Sequence, residues 1–127
     1  MSMKPNFIEM RIAVIGVSEN REKYGHKIFR DLLNKGYNVV GTNPEGKRVL
    51  GKETYRSLEE IPHNIDLVIT VVPPSVTEDI VEICKKLGIK RIWMQPGSES
   101  ETAIKKAKEY GISVTFNRCF MKENGIW

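Results

Sequence analysis

The sequence predicts a doubly wound α/β protein with a mostly parallel sheet of Rossmann type. Three observations carry this prediction. Short β-branched runs alternate with amphipathic stretches along the chain, most runs stop at Gly or Pro, and the strongest run (residues 66–72, DLVITVV) is apolar on both of its faces. A strand buried on both faces belongs to a sheet covered by helices on both sides, and parallel neighbours need right-handed crossover connections.

Residues 11–16 (RIAVIG) read as the first strand, a buried β-branched run ended by Gly16. Over residues 24–35, Ile28, Phe29, Leu32 and Leu33 recur at spacings of one, three and four, which makes one helical face, and Gly36 closes it. Residues 37–42 form the second strand and residues 43–47 (NPEGK) a turn, completing a βαβ unit. Residues 48–62 carry a weaker pattern: a short strand or loop through Val49, Leu50 and Gly51, then a helical turn over 57–61. The strand at 66–72 is stopped by Pro73 and Pro74, and Ser75 is expected to cap a helix bearing Val76, Ile80, Val81, Ile83, Cys84 and Leu87, ended by Gly88. Residues 91–95 form a further strand, Ser98 is expected to start a helix with Ala103, Ile104 and Ala107 inward, and residues 112–116 form the last strand.

The 127 residues suit a single domain spanning 1–127, and a mixture of 40% apolar and 28% charged residues is that of a globular protein. No run approaches the roughly 20 apolar residues of a membrane helix, and the start (MSMKPNFIEMR) lacks the pattern of a secretory signal, so a soluble protein in the cytoplasm is expected. The net charge of +4 is spread beside Glu residues, with no basic stripe interleaved with aromatics, and this argues against a nucleic-acid partner. Cys84 and Cys119 form no C-x-x-C pair, so neither zinc nor a dithiol redox motif is indicated. Cys84 falls on the apolar face of its helix and reads as core.

In open parallel sheets, ligands bind beyond the carboxyl ends of the strands. Those ends hold no metal cluster, Ser/His/Asp constellation or carboxylate pair, and His26 and His63 suit a helix-start or solvated role. Gly16 permits a close backbone turn, and the helix beginning near Tyr24 turns free N–H groups toward the same crevice, which suits an anion. The dinucleotide fingerprint G-x-G-x-x-G is absent, because the loop from Gly16 to Gly25 is longer and carries Arg21 and Lys23. Where an NAD site has an acidic residue after the second strand, this chain has Asn43, followed by Lys47 and Arg48. Cations there suit a ribose phosphate, and both coenzyme A and NADP carry one.

The ordered set of G-V-S (Gly16, Val17, Ser18), N-P-E-G-K (Asn43, Pro44, Lys47), V-P-P (Val72, Pro73, Pro74), Q-P-G (Gln95, Pro96, Gly97) and N-R-C (Asn117, Arg118, Cys119) resembles the CoA-binding domain family over nearly the whole chain. It looks like the small stand-alone members and is similar, more distantly, to the N-terminal domain of the succinyl-CoA synthetase α subunit and to ADP-forming acyl-CoA synthetases. Two positions depart from the pattern: Gly25 stands where many small members carry Ser, and Asn124 replaces a frequent His. The resemblance implies that Gly16, Val17 and Ser18 line the phosphate and pantetheine loop, and that Lys47 pairs with a phosphate of the adenosine part. It implies that Val72, Pro73 and Pro74 border the adenine, that Gln95, Pro96 and Gly97 follow the pantetheine arm, and that Asn117 and Cys119 lie near its thiol. It implies binding of coenzyme A or an acyl-CoA without turnover. Cys119, just after the last strand and beside Arg118, is then expected to be able to form a reversible disulfide with the thiol of the bound coenzyme. An NADP-linked oxidoreductase and a subunit of a larger acyl-CoA enzyme are the alternatives, and a homo-oligomer or partner chain stays open. Pro73 and Pro74 are also explained as a plain strand stop.

Overall fold

A computed structural model describes residues 5–127. Six parallel strands make one sheet: β1 (Arg11–Ile15), β2 (Asn38–Thr42), β3 (Thr54–Tyr55), β4 (Leu67–Thr70), β5 (Arg91–Met94) and β6 (Ser113–Thr115), in the order β3-β2-β1-β4-β5-β6. The helices are α1 (Tyr24–Asn34), α2 (Pro74–Leu87), α3 (Glu101–Glu109) and α4 (Phe120–Glu123), with single 3-10 turns at Phe7–Glu9 and Leu58–Glu60. The order reverses between β1 and β4, which pair from Ile12 with Leu67 to Ile15 with Thr70. A crevice opens at such a reversal because the loops leaving the two strands run to opposite sides. No helix among the described residues is long and apolar enough to cross a membrane.

Alternate residues of each central strand enter different cores, as a period of two requires. Ala13, Ile15, Val68, Ile92 and Met94 meet Ile80, Val81 and Cys84 of α2 and Ala103 and Ala107 of α3 on one face. On the other face Ile12, Val14, Leu67, Ile69 and Trp93 meet Ile28, Phe29 and Leu32 of α1 together with Phe120 and Met121 of α4. The second core is aromatic at its centre: the Phe120 ring stands edge-on to Trp93 at 5.1 Å and to Phe7 at 5.1 Å. Cys84 is fully buried, as its helical position predicted.

Two expected caps are corrected. Helix α2 begins at Pro74, not after Ser75: proline has its φ preset and no N–H to satisfy at the first helical position, and the Pro73 carbonyl accepts Val76 N–H at 3.0 Å. Ser98 does not start α3. It is buried, with its Oγ 2.7 Å from the Gln95 carbonyl, 3.0 Å from the Thr70 carbonyl and 2.9 Å from Thr70 Oγ1. The cap is Ser100, whose Oγ accepts Ala103 N–H at 2.9 Å. The weak segment contains a tight turn in which Val49 and Lys52 exchange backbone bonds, the two-residue β3, and a 3-10 turn within the stretch expected to be helical. Helix α4 had no counterpart in the sequence reading.

Candidate functional site

All the strand-end segments singled out in the sequence stand at one end of the sheet, because every strand is parallel. Gly16 has φ +104°, and a Cβ built on it would lie 2.3 Å from the Val71 carbonyl oxygen and 2.8 Å from Val72 Cγ1. The loop after β1 is therefore pressed against the loop after β4, and only glycine fits between them. Gly25, in the first turn of α1, is equally constrained: its Cβ would lie 1.9 Å from the Gly16 carbonyl oxygen. The helix can pack this close to the strand end because both residues lack side chains, the role that the glycines of a dinucleotide loop perform at shorter spacing.

Within this loop Ser18 Oγ accepts Asn20 N–H at 3.0 Å, and buried His26 has Nδ1 2.8 Å from the Ser18 carbonyl, so the histidine at the helix start holds the loop. Lys23 is the residue just before α1, and its carbonyl accepts His26 N–H at 3.1 Å. Asn43 joins the next loop to the first: its Nδ2 donates to the Val17 carbonyl at 2.9 Å while its Oδ1 accepts Glu45 N–H at 2.8 Å. Pro44 is exposed in that turn. Lys47 is exposed and pairs with Glu45 at 3.0 Å, and this contact, with Glu19 adding to it, raises the lysine's pKa and keeps it cationic.

Across the switch point, half-buried Val72 and exposed Pro73 and Pro74 follow β4. Gln95 follows β5 and is buried. Its Oε1 accepts Phe120 N–H at 2.7 Å and its Nε2 lies 3.5 Å from Cys119 Sγ, while Pro96 and Gly97 after it are exposed. Asn117 takes a left-handed φ of +59°, a conformation asparagine tolerates better than most residues, and this turns the chain from β6 into α4. Arg118 holds Trp93 Nε1–H through its carbonyl at 2.8 Å, and its guanidinium pairs with Glu123. Its charge is thus engaged by a carboxylate of α4.

Cys119 is half-buried and borders a cavity of about 330 Å3 together with Tyr24, Val71, Gln95 and Trp127. Burial pushes the other thiol, Cys84, up to about 12. Trp127 folds back over α1, its Nε1–H donating to Asp31 Oδ2 at 2.7 Å and its ring centroid 6.1 Å from that of Tyr24. Sequence reasoning singled out neither Asp31 nor Tyr24 as a site residue, and 96 positions separate Trp127 from Asp31. A larger cavity of about 620 Å3 lies at the opposite end of the sheet, near Ile65, Asp66 and Lys90, away from all of these residues. Among the described residues no group of three or more His, Cys, Asp or Glu side chains could hold a metal ion.

A family model described as a CoA binding domain matches residues 10–125. The chain belongs to this family. The CoA-binding domain is 38% identical to a conserved hypothetical protein of Pyrococcus furiosus whose solved structure it matches with a TM-score of 0.85, over 90% of this chain and 98% of that one. It is 30% identical to the uncharacterised protein YneT of Bacillus subtilis, over 91% of this chain and 86% of that one. It is also 29% identical to an ADP-forming acetate–CoA ligase of Archaeoglobus fulgidus, over 92% of this chain and only 18% of the ligase. The CoA-binding domain therefore corresponds to less than a fifth of that ligase. The family and the doubly wound fold agree with what the sequence implied.

Proposed function

We propose that the chain binds coenzyme A across the carboxyl ends of β1, β2, β4 and β5, with residues 1–127 acting as one binding unit in the cytoplasm. The observation that carries this reading is the continuity of one crest: the Gly16 loop, the Gln95 turn and Cys119 all lie at the same end of the sheet, around the β1–β4 reversal. Gly16, Val17 and Ser18 offer backbone to the pyrophosphate and the pantetheine arm, with Lys23 beside them at the start of α1. Lys47, released from Glu45, meets the ribose phosphate from the turn that Asn43 and Pro44 build. Val72, Pro73 and Pro74 flank the adenine, and Gln95, Pro96 and Gly97 guide the arm toward Asn117, Arg118 and Cys119.

Cys119 supplies the covalent chemistry of this reading. Its thiolate attacks a disulfide of coenzyme A, a Cys119–CoA disulfide forms, and the other half leaves as a thiolate; the reaction is an exchange with no net oxidation. Holding the two sulfurs together replaces a dilute encounter by a high effective concentration. Gln95 supports this by orienting the sulfur at 3.5 Å.

Calorimetric titration with coenzyme A, NADPH and NAD tests the binding, and coenzyme A alone should give saturable heat. Binding of NADPH in its place would overturn the reading. For the exchange, incubation with CoA disulfide should add one coenzyme mass to the wild type and to Cys84→Ser, reversed by dithiothreitol, and none to Cys119→Ser. Labelling at Cys84, or at neither residue, would overturn the covalent step.

A further inference from the structure

We propose that the cavity beside Cys119 is an acyl pocket, which takes the uncharged, branched or aromatic acyl group of an acyl-CoA thioester. This rests on the reading that coenzyme A binds along the crest with its sulfur near Cys119. A free thiol ends at that sulfur and needs no further space. The cavity holds about 330 Å3, room for roughly ten groups of water size at about 30 Å3 each.

Its walls specify what fills that space. Ile28, Val71 and Pro96 line it with aliphatic carbon, and the rings of Tyr24 and Trp127 close one side. Tyr24 is 65% exposed and Trp127 41%, so two large aromatic side chains stand where a ligand could cover them. Trp127 is held in this position from two directions, by its indole N–H donating to Asp31 and by its backbone N–H donating to the Met121 carbonyl at 3.1 Å. The ring is thus a fixed wall, at the edge of a space with few polar partners to offer.

One cation, Lys122, also borders the cavity. A carboxylate-ended acyl group would bring its charge into a cavity that Ile28, Val71 and Pro96 also line, and desolvating a charge costs more than one exposed lysine returns. An uncharged acyl group of about four to eight carbons meets no such penalty and gains from each buried methylene.

The test is a calorimetric series with coenzyme A, acetyl-CoA, 3-methylbutanoyl-CoA, phenylacetyl-CoA and succinyl-CoA. The two apolar thioesters should bind at least about tenfold more tightly than acetyl-CoA, as expected for burying several further carbons. In Trp127→Ala, and separately in Tyr24→Ala, that ratio should fall to about twofold. Tryptophan emission should shift to the blue with 3-methylbutanoyl-CoA, and Trp127→Phe should lose the shift. Equal affinities throughout the thioester series, with coenzyme A still bound, would overturn the acyl pocket and leave the coenzyme reading standing. A preference for succinyl-CoA would overturn it as well, in favour of Lys122 as the determinant. No binding by coenzyme A or by any thioester would overturn the coenzyme reading itself.

Discussion

The side-chain carbonyl of Gln95 accepts the backbone N–H of Phe120 at 2.7 Å, and through this bond the end of β5 fixes the start of α4. Phe120 is fully buried among Trp93, Phe7 and Tyr37, so its N–H has no water to turn to. Gln95→Leu should therefore cost about 1–3 kcal/mol, the penalty of an orphaned buried donor, and lower Tm in calorimetry. Gln95→Glu keeps an acceptor for Phe120 and should recover much of that loss. An unchanged Tm in Gln95→Leu would mean that α4 is held by its apolar packing alone.

Gly16 and Gly25 each sit where a methyl group would strike backbone, that of Val71 for Gly16 and that of Gly16 for Gly25. The structure directs a Cβ at Gly16 into the Val71 carbonyl oxygen at 2.3 Å. Gly16→Ala should therefore destabilise the fold by about 2 kcal/mol or more, since it combines a positive φ with a clash against backbone. Gly25→Ser should also destabilise, because its Cβ would meet the Gly16 carbonyl oxygen at 1.9 Å. Urea denaturation measures both, and wild-type midpoints would show that the two loops can separate at little cost.

Lys47 must leave Glu45 to meet a phosphate. Both side chains are largely exposed, so the pair holds the lysine only weakly against a dianionic ligand. Lys47→Ala should weaken coenzyme A about tenfold while leaving dephospho-CoA nearly unchanged, which is the loss of one charge-assisted contact. Glu45→Gln should strengthen coenzyme A modestly. Equal losses for both ligands in Lys47→Ala would move the phosphate contact elsewhere.

The two thiols should part sharply in reactivity. Cys119 is reachable through its cavity, whereas Cys84 is fully buried and, by desolvation, is pushed from the ordinary 9.0 up to about 12. Iodoacetamide at neutral pH should label Cys119 in the folded protein and Cys84 only after unfolding. Linkage gives a second signature. The unfolded thiol loses its proton near pH 9 while the folded one keeps it to about pH 12, so the unfolded state binds fewer protons in that window and stability falls as pH rises through it. Cys84→Ala should remove this part of the alkaline decline, and an identical decline in the variant would assign it to other groups.

The central strands were legible because β1, β4 and β5 are almost continuously apolar and stop at Gly16, Pro73 and Pro96, where both burial and chain reversal are written locally. Ser98 misled for a physical reason. A serine ahead of a helix satisfies the local rule for a cap, and nothing nearby reveals that its hydroxyl is drawn 28 residues back to Thr70. Helix α4 has four residues, too few to show a period, and exists because Phe120 and Met121 fill the core beside Trp93. The strand ends were legible as a group once the strands were known to be parallel. What joins them, Gln95 to Phe120 and Trp127 to Asp31, is tertiary and leaves no periodic trace.

Asn43 bears on how fast the crest can respond to its ligand. By clasping the Val17 carbonyl and ordering its own turn at Glu45, it fixes the loops after β1 and β2 to each other before anything arrives. A pair of loops already in register has little ordering entropy left to lose on association, so variants along the crest should share similar on-rates and differ chiefly in residence time. Opening that clasp, as in Asn43→Ala, would transfer part of the cost to the encounter itself and make arrival, as well as departure, a slow step.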